Sequence, residues 1–143
     1  MRDLERAKAL LKSTPSLTCV LCRGESVCQS EKKGVVPMMG FLEDGIDLRG
    51  FCAADRVVGK AAAFLFVLAG VRELYTDVLS EHARQVLDTY GISVTYGKLT
   101  PYIINRRGDG MCPMETAVKD VTDPNVAYSA ILQTMSRLGI STH

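Results

Sequence analysis

The stretch NRRGDGMCPME, residues 105 to 115, gathers the side chains best suited to act on a ligand. Asn105, Arg106 and Arg107 offer N–H donors for a polar or phosphate group. Cys112 precedes an expected helix start at Pro113, where the helix dipole favours a thiolate. Glu115 falls at the third helical position, the place of a capping-box acid. A loop shaped only by its glycines and Pro113 would carry the same residues, so both readings stand. Arg107-Gly108-Asp109 matches an adhesion tripeptide by coincidence.

A second group lies upstream. Asp55 reads as the N-cap of a helix running to Ala69, or as a carboxylate facing a pocket, or as both. Lys60 is a solvated lysine, or an ammonium at the pocket rim that pairs with Asp55 or an anionic ligand. The "GK" it belongs to is no phosphate loop, because Ala54 and Ala61 stand where Gly and Ser or Thr are needed. Ser80 caps a helix, and its hydroxyl can face the same pocket. Two helix starts side by side, at Asp55 and Ser80, would present backbone N–H groups to one ligand. His82 reads as a surface residue; no spacing supports a metal site built from His82, Cys52 and Cys112. Cys19 and Cys22 form C-x-x-C, but residues three apart on a strand point to opposite faces, which makes them core thiols.

The elements that must position these residues follow from pattern. Leu4, Ala7, Leu10 and Leu11 mark a helix over 3–12, ended by Pro15. LTCVLCRGESVCQS reads as a hairpin turning at Gly24 and Glu25. KKGVVPMMGFLEDG reads as a loop with one short helical turn, and AAAFLFVLAGV as a buried core helix stopped by Gly70. RELYTDV and ISVTYGK are strands around a helix from Ser80 to Tyr90, with Gly91 as its C′ residue. Asp123 and Pro124 open a last helix to Leu138. A hairpin feeding two strand–helix units predicts an α/β fold, a three-layer α/β/α sandwich around one mixed sheet.

At 143 residues the chain fits one domain, 1–143, able to bury a core without staples. Its 17 Lys and Arg nearly balance 16 Asp and Glu, so no basic excess points to nucleic acid. The apolar run at 61–71 is too short for a membrane span, and the charged N-terminal helix lacks the core of a signal peptide. A cytoplasmic chain is expected, with its five cysteines as reduced thiols.

The order of elements and the two helix starts resemble the cytidine deaminase-like superfamily. In its zinc enzymes one helix begins with His or Cys, then Ala and Glu; a second begins P-C-x-x-C. GFCAADRVVGKA aligns with the first, placing Ala53 at the ligand, Ala54 at the alanine and Asp55 at the glutamate. LSEHARQVL aligns with the second, where Leu79 replaces proline and Ser80 and Ala83 replace the cysteines. ADRVVGKAAA, SEHA, INRRGDG and CPME together resemble, more closely, a small uncharacterised prokaryotic family of this fold that lacks the zinc site. The resemblance covers nearly the whole chain and implies a cytidine deaminase-like fold with no zinc and no turnover by water attack, since alanine cannot ligate a metal.

Three functions remain open at this point. The first is a module binding a small polar or nucleotide-like ligand through Asp55, Lys60, Ser80, Asn105, Arg106, Cys112 and Glu115. The second is a metal-free enzyme with Cys112 as nucleophile, or Asp55 and Glu115 as acid and base. The third is a protein-interaction module. No cofactor and no metal are implied; the expected partner is a small molecule, with homo-oligomerisation left open.

Overall fold

The computed structural model describes residues 2–104, 108 and 110–142. Helix α1 (Asp3–Ser13) leads into the hairpin of β1 (Cys19–Arg23) and β2 (Ser26–Ser30). Then follow α2 (Val36–Glu43), β3 (Cys52–Val58), α3 (Lys60–Ala69), β4 (Glu73–Ser80), α4 (Glu81–Thr89) and β5 (Ser93–Thr100). Two helices close the chain, α5 (Pro113–Ala117) and α6 (Pro124–Leu138).

The strands form one mixed sheet in the order β2-β1-β3-β4-β5. β1 is antiparallel to β2 and β3, whereas β3, β4 and β5 are parallel. Parallel neighbours need a crossover, and α3 and α4 supply the two. On one face α1 packs Ala7 and Leu11 against Val20, Cys22, Ala54 and Tyr75. The other face carries the larger core, built with Met38 and Met39 of α2, nearly all of α3, Leu87 of α4, Met114 of α5 and Ile131 of α6.

Helix starts and stops follow local chemistry. The Ser80 hydroxyl accepts the Ala83 N–H at 3.0 Å, and an Asp123 carboxylate oxygen accepts that of Asn125 at 2.7 Å. Pro113 and Pro124 occupy first-turn positions as expected, and Gly70 and Gly139 close their helices in the left-handed region.

Two expectations fail. KKGVVPMMGFLEDG contains an eight-residue helix, α2, rather than a single turn. Residues 52 to 58 form the central strand β3, not the start of a helix, so Asp55 is no N-cap. α3 begins five residues later, with Gly59 as its N-cap residue and no side-chain cap of its own. The alignment of Ala53, Ala54 and Asp55 with a helix start falls with it.

The three parallel strands share one crease. Ala53, Leu74 and Val94 form one cross-strand row; Val58, Leu79 and Leu99 form another, five residues on. Both rows belong to the same core, although strict alternation would put them on opposite faces. The slip falls at Arg56, Asp77 and Gly97, whose pairs drop out of the ladder. A Cβ on Gly97 would lie 2.9 Å from the Asp77 carbonyl oxygen, so glycine is what lets β5 follow β4 through the crease.

Candidate functional site

A cleft of about 270 Å³ opens at the carboxyl end of β3. Asp55 and Val57 of β3, Gly59, Ala62 of α3, Thr18, Lys33 and Val35 line it, with Ile103, Cys112, Met114 and Glu115 from the chain's last third. Ile103 and Cys112 are tied by a hydrogen bond from the Cys112 N–H to the Ile103 carbonyl at 3.1 Å, which brings both ends of that excursion to the cleft wall.

Asp55 is one of two buried carboxyls in the cleft. It is 93% shielded from solvent, at 7% exposure, and its Oδ1 accepts the Arg56 N–H at 2.7 Å. Burial pushes its pKa up to about 7, against the opposing pull of the Arg56 and Val57 N–H groups, the Cys19 thiol and the Arg56 charge. Cys19 sits directly across the ladder; burial, then the Asp55 charge, push its thiol well up. Arg56 also borders the cleft, but its guanidinium is committed to the α1 side of the sheet. There it donates to the Leu11 and Leu17 carbonyls at 2.7 and 3.1 Å and meets Asp77 at 3.5 Å.

Glu115 is buried and holds the start of α3. Its Oε1 accepts the Lys60 N–H at 2.6 Å and its Oε2 the Ala61 N–H at 2.9 Å. A distant carboxylate therefore supplies the cap that α3 lacks locally, where orphan N–H groups and the dipole favour negative charge. Burial raises its pKa, while those two N–H groups and the nearby His82 and Lys60 charges pull the other way. Gly59 makes the contact possible, since a Cβ there would lie 2.3 Å from Oε1. The capping-box role expected within α5 is not what Glu115 does.

The remaining expected site residues separate. Cys112 lines the cleft and is half-buried, but the helix it precedes has five residues and opens with a proline that has no N–H. Lys60 lies at the first turn of α3, its Nζ donating to the Lys119 carbonyl at 2.9 Å. It lines a separate groove of about 220 Å³ with His82, Gln85 and Tyr90. Ser80 is fully buried and spends its hydroxyl on its own helix. The starts of α3 and α4 do lie side by side, because Val58 pairs with Leu79. Asp55 pairs with Thr76, four residues before Ser80, so about 13 Å of strand separates the rows of Asp55 and Ser80. Asn105, Arg106 and Arg107 lie outside the described residues.

Sequence reasoning passed over Thr18, Val57 and Gly59. Gly59 had a readable signal, a glycine at the junction of an apolar strand and an apolar helix, where close backbone approach is common. Among the described residues no group of three or more His, Cys, Asp or Glu side chains could hold a metal, and no helix is long and apolar enough to cross a membrane. The cleft can thus offer buried, protonatable carboxyls, a thiol and apolar walls.

Comparison with known proteins places the chain. No curated protein matches it. It is similar to the crystal structure of a DUF1893 family protein (TM1506) from Thermotoga maritima, with a TM-score of 0.81 and 26% identity over 96% of this chain and 91% of that one. The family model described as TM1506, domain of unknown function (DUF1893), matches residues 6–135. With a matching sequence model and a matching architecture over nearly its whole length, the chain belongs to the DUF1893 family.

Proposed function

We propose that the cleft binds a small, largely apolar molecule carrying N–H donors, of the amine or amidine class, in a zinc-less relative of the cytidine deaminase-like fold. One observation carries the reading: Asp55 and Glu115, two carboxyls buried from solvent, line the same mostly apolar cleft as Cys112. Open α/β sheets bind ligands beyond the carboxyl ends of their strands, and the cleft lies at that end of β3. The sign of the ligand follows from the lining. Lys33, itself exposed, is the sole described basic side chain turned to the cleft, since the Arg56 guanidinium is spent elsewhere. The hairpin followed by parallel strands, each leading into a helix, supports the fold relationship.

Three isosteric probes test it: benzamidine, benzamide and benzoate, titrated against the protein at pH 8 and followed by backbone NMR. Benzamidine is expected to bind tightest and benzoate weakest, with shifts at Val35, Val57, Ile103 and Met114. If benzoate binds best, the ligand class is wrong; if none of the three shifts those residues, the cleft is not a binding site.

A second reading has its own support. A carboxyl with a pKa of about 7 holds both protonation states at neutral pH, which suits a general acid or base. Asp55 fits that role better than Glu115, whose two oxygens are both engaged by α3. An Asp55→Asn variant that binds benzamide as well as the parent, in a protein with any discovered turnover, separates the two: loss of turnover without loss of binding identifies catalysis.

A further inference from the structure

Cys22 and Cys52 are directly opposed in the antiparallel pairing of β1 and β3, in the last row of that ladder. Opposed residues on neighbouring antiparallel strands share a face and have Cα atoms about 4.5–5.5 Å apart. A disulfide spans Cα separations of about 4.4–6.8 Å. Both thiols are free and fully buried. The Arg72 guanidinium reaches Cys52, its Nη2 standing 3.4 Å from Sγ. Arg72 is held there by its own N–H, which donates to the Phe51 carbonyl at 2.9 Å, while 59% of its side chain stays exposed. The guanidinium thus places a positive charge and an N–H donor beside the sulfur. Position in the end row matters too, because ladder ends open more readily than ladder centres.

We propose that Cys52 is a site of peroxide oxidation and that Cys22 resolves it as an intramolecular disulfide. The Cys52 thiolate attacks one oxygen of a hydroperoxide, here hydrogen peroxide; the O–O bond breaks, an S–O bond forms and hydroxide leaves. The Cys22 thiol then attacks the sulfenic sulfur, the S–S bond forms and water leaves. In total, two thiols are oxidised and one peroxide is reduced to two waters. The bond ties β1 to β3 and closes residues 22 to 52 into a loop of about 30 residues, which restricts the unfolded chain.

The test treats the folded, full-length protein with hydrogen peroxide, blocks remaining thiols with an alkylating agent, and maps disulfide-linked peptides. A Cys22–Cys52 link is expected, with a melting temperature raised by several degrees and reversed by reductant. In Cys22→Ser the reaction should stop at Cys52 sulfenic acid, trapped by a 1,3-diketone. Arg72→Gln should slow oxidation of Cys52 severalfold. Recovery of Cys22 and Cys52 as separate alkylated peptides, or oxidation confined to Cys28 and Cys112, overturns the proposal. Equal rates in Arg72→Gln and parent remove the guanidinium from it.

Discussion

Cys19 and Asp55 face each other across β1 and β3, thiol against carboxyl, on the side of the sheet that carries the larger core. Neither ionises easily there. Burial holds the proton on Asp55 up to about pH 7, whereas the unfolded chain gives it up near the ordinary carboxyl value of 3.8.

That difference fixes the direction of stability with pH. Between about 4 and about 7 the folded state keeps a proton that the unfolded state has lost, so raising the pH costs stability, at about 1.4 kcal/mol per pH unit for one such group. The contribution is complete below the unfolded pKa and gone above the folded one. Glu115, also raised, acts in the same direction. Denaturant melts from pH 5 to pH 9 should show the fall, and Asp55→Asn should flatten most of it. A parent protein more stable at pH 8 than at pH 5 would contradict the assignment.

The same titration governs the ligand. The ionised fraction of Asp55 rises about tenfold between pH 6 and pH 8 around a pKa of about 7. Benzamidine affinity should rise by about that factor, and benzamide affinity should stay nearly constant. Calorimetric titrations at the two pH values, repeated on Asp55→Asn, should show the slope vanish with the carboxylate.

Glu115→Ala strips two N–H groups at the start of α3 of their acceptor, and should cost about 1–2 kcal/mol, the range for a lost helix cap. Glu115→Gln keeps one acceptor oxygen and should cost less. Gly59→Ala forces the carboxylate away and should resemble Glu115→Ala. The double variant should lose clearly less than the sum of the two, because both break one contact. Additive losses in urea unfolding would show that Gly59 matters for another reason.

Among the five thiols, Cys112 and Cys28 are half-buried, and Cys19, Cys22 and Cys52 are fully buried. Burial also holds the Cys28 thiol up. Timed alkylation followed by mass spectrometry should therefore label Cys112 first and Cys28 next, with Cys52 slower, through opening of its ladder end, and Cys19 only on unfolding. A cleft ligand should protect Cys112 alone. Cys28 is more open than Cys19 and Cys22 because it lies on the edge strand β2.

Elemental analysis of purified protein is expected to find no stoichiometric zinc, since Ala83 offers no ligand atom and the Ser80 hydroxyl is engaged by its own helix. Cytidine and adenosine should give no ammonia. About one zinc per chain, lost on mutating Cys112 or His82, would contradict this.

How much of this was legible depended on whether the signal was local. The hairpin turn at Gly24, the Ser80 and Asp123 caps and the proline starts of α5 and α6 are short-range chemistry, and each stands where pattern placed it. β3 was not readable that way. CAADRVV has two alanines, which favour helix, and an aspartate ahead of an apolar run, which imitates an N-cap. It is a strand because β1 and β4 pair with it on either side, a fact of tertiary structure. α2 was hidden by Pro37 and Gly40; a Cβ on Gly40 would meet the Thr142 carbonyl at 3.2 Å, a contact from the far end of the chain. Within the site, Cys112 and Glu115 do line the cleft, but what drew attention to them in the sequence was internal to α5. Their partners come from β3 and α3, and no spacing in sequence announces that.

The Glu115 contact also orders events during biosynthesis. The carboxylate that completes α3 lies 55 positions beyond Lys60, after the whole sheet has been translated. A nascent chain leaving the ribosome can pair β1 through β5 and lay down α3 and α4 while the first turn of α3 still lacks its acceptor. Only when residue 115 emerges is that turn secured, and the same step brings Cys112 and Met114 to the cleft wall. Vectorial synthesis thus supplies the sheet first and the cleft wall last, so a chain truncated after Thr100 should have no finished cleft.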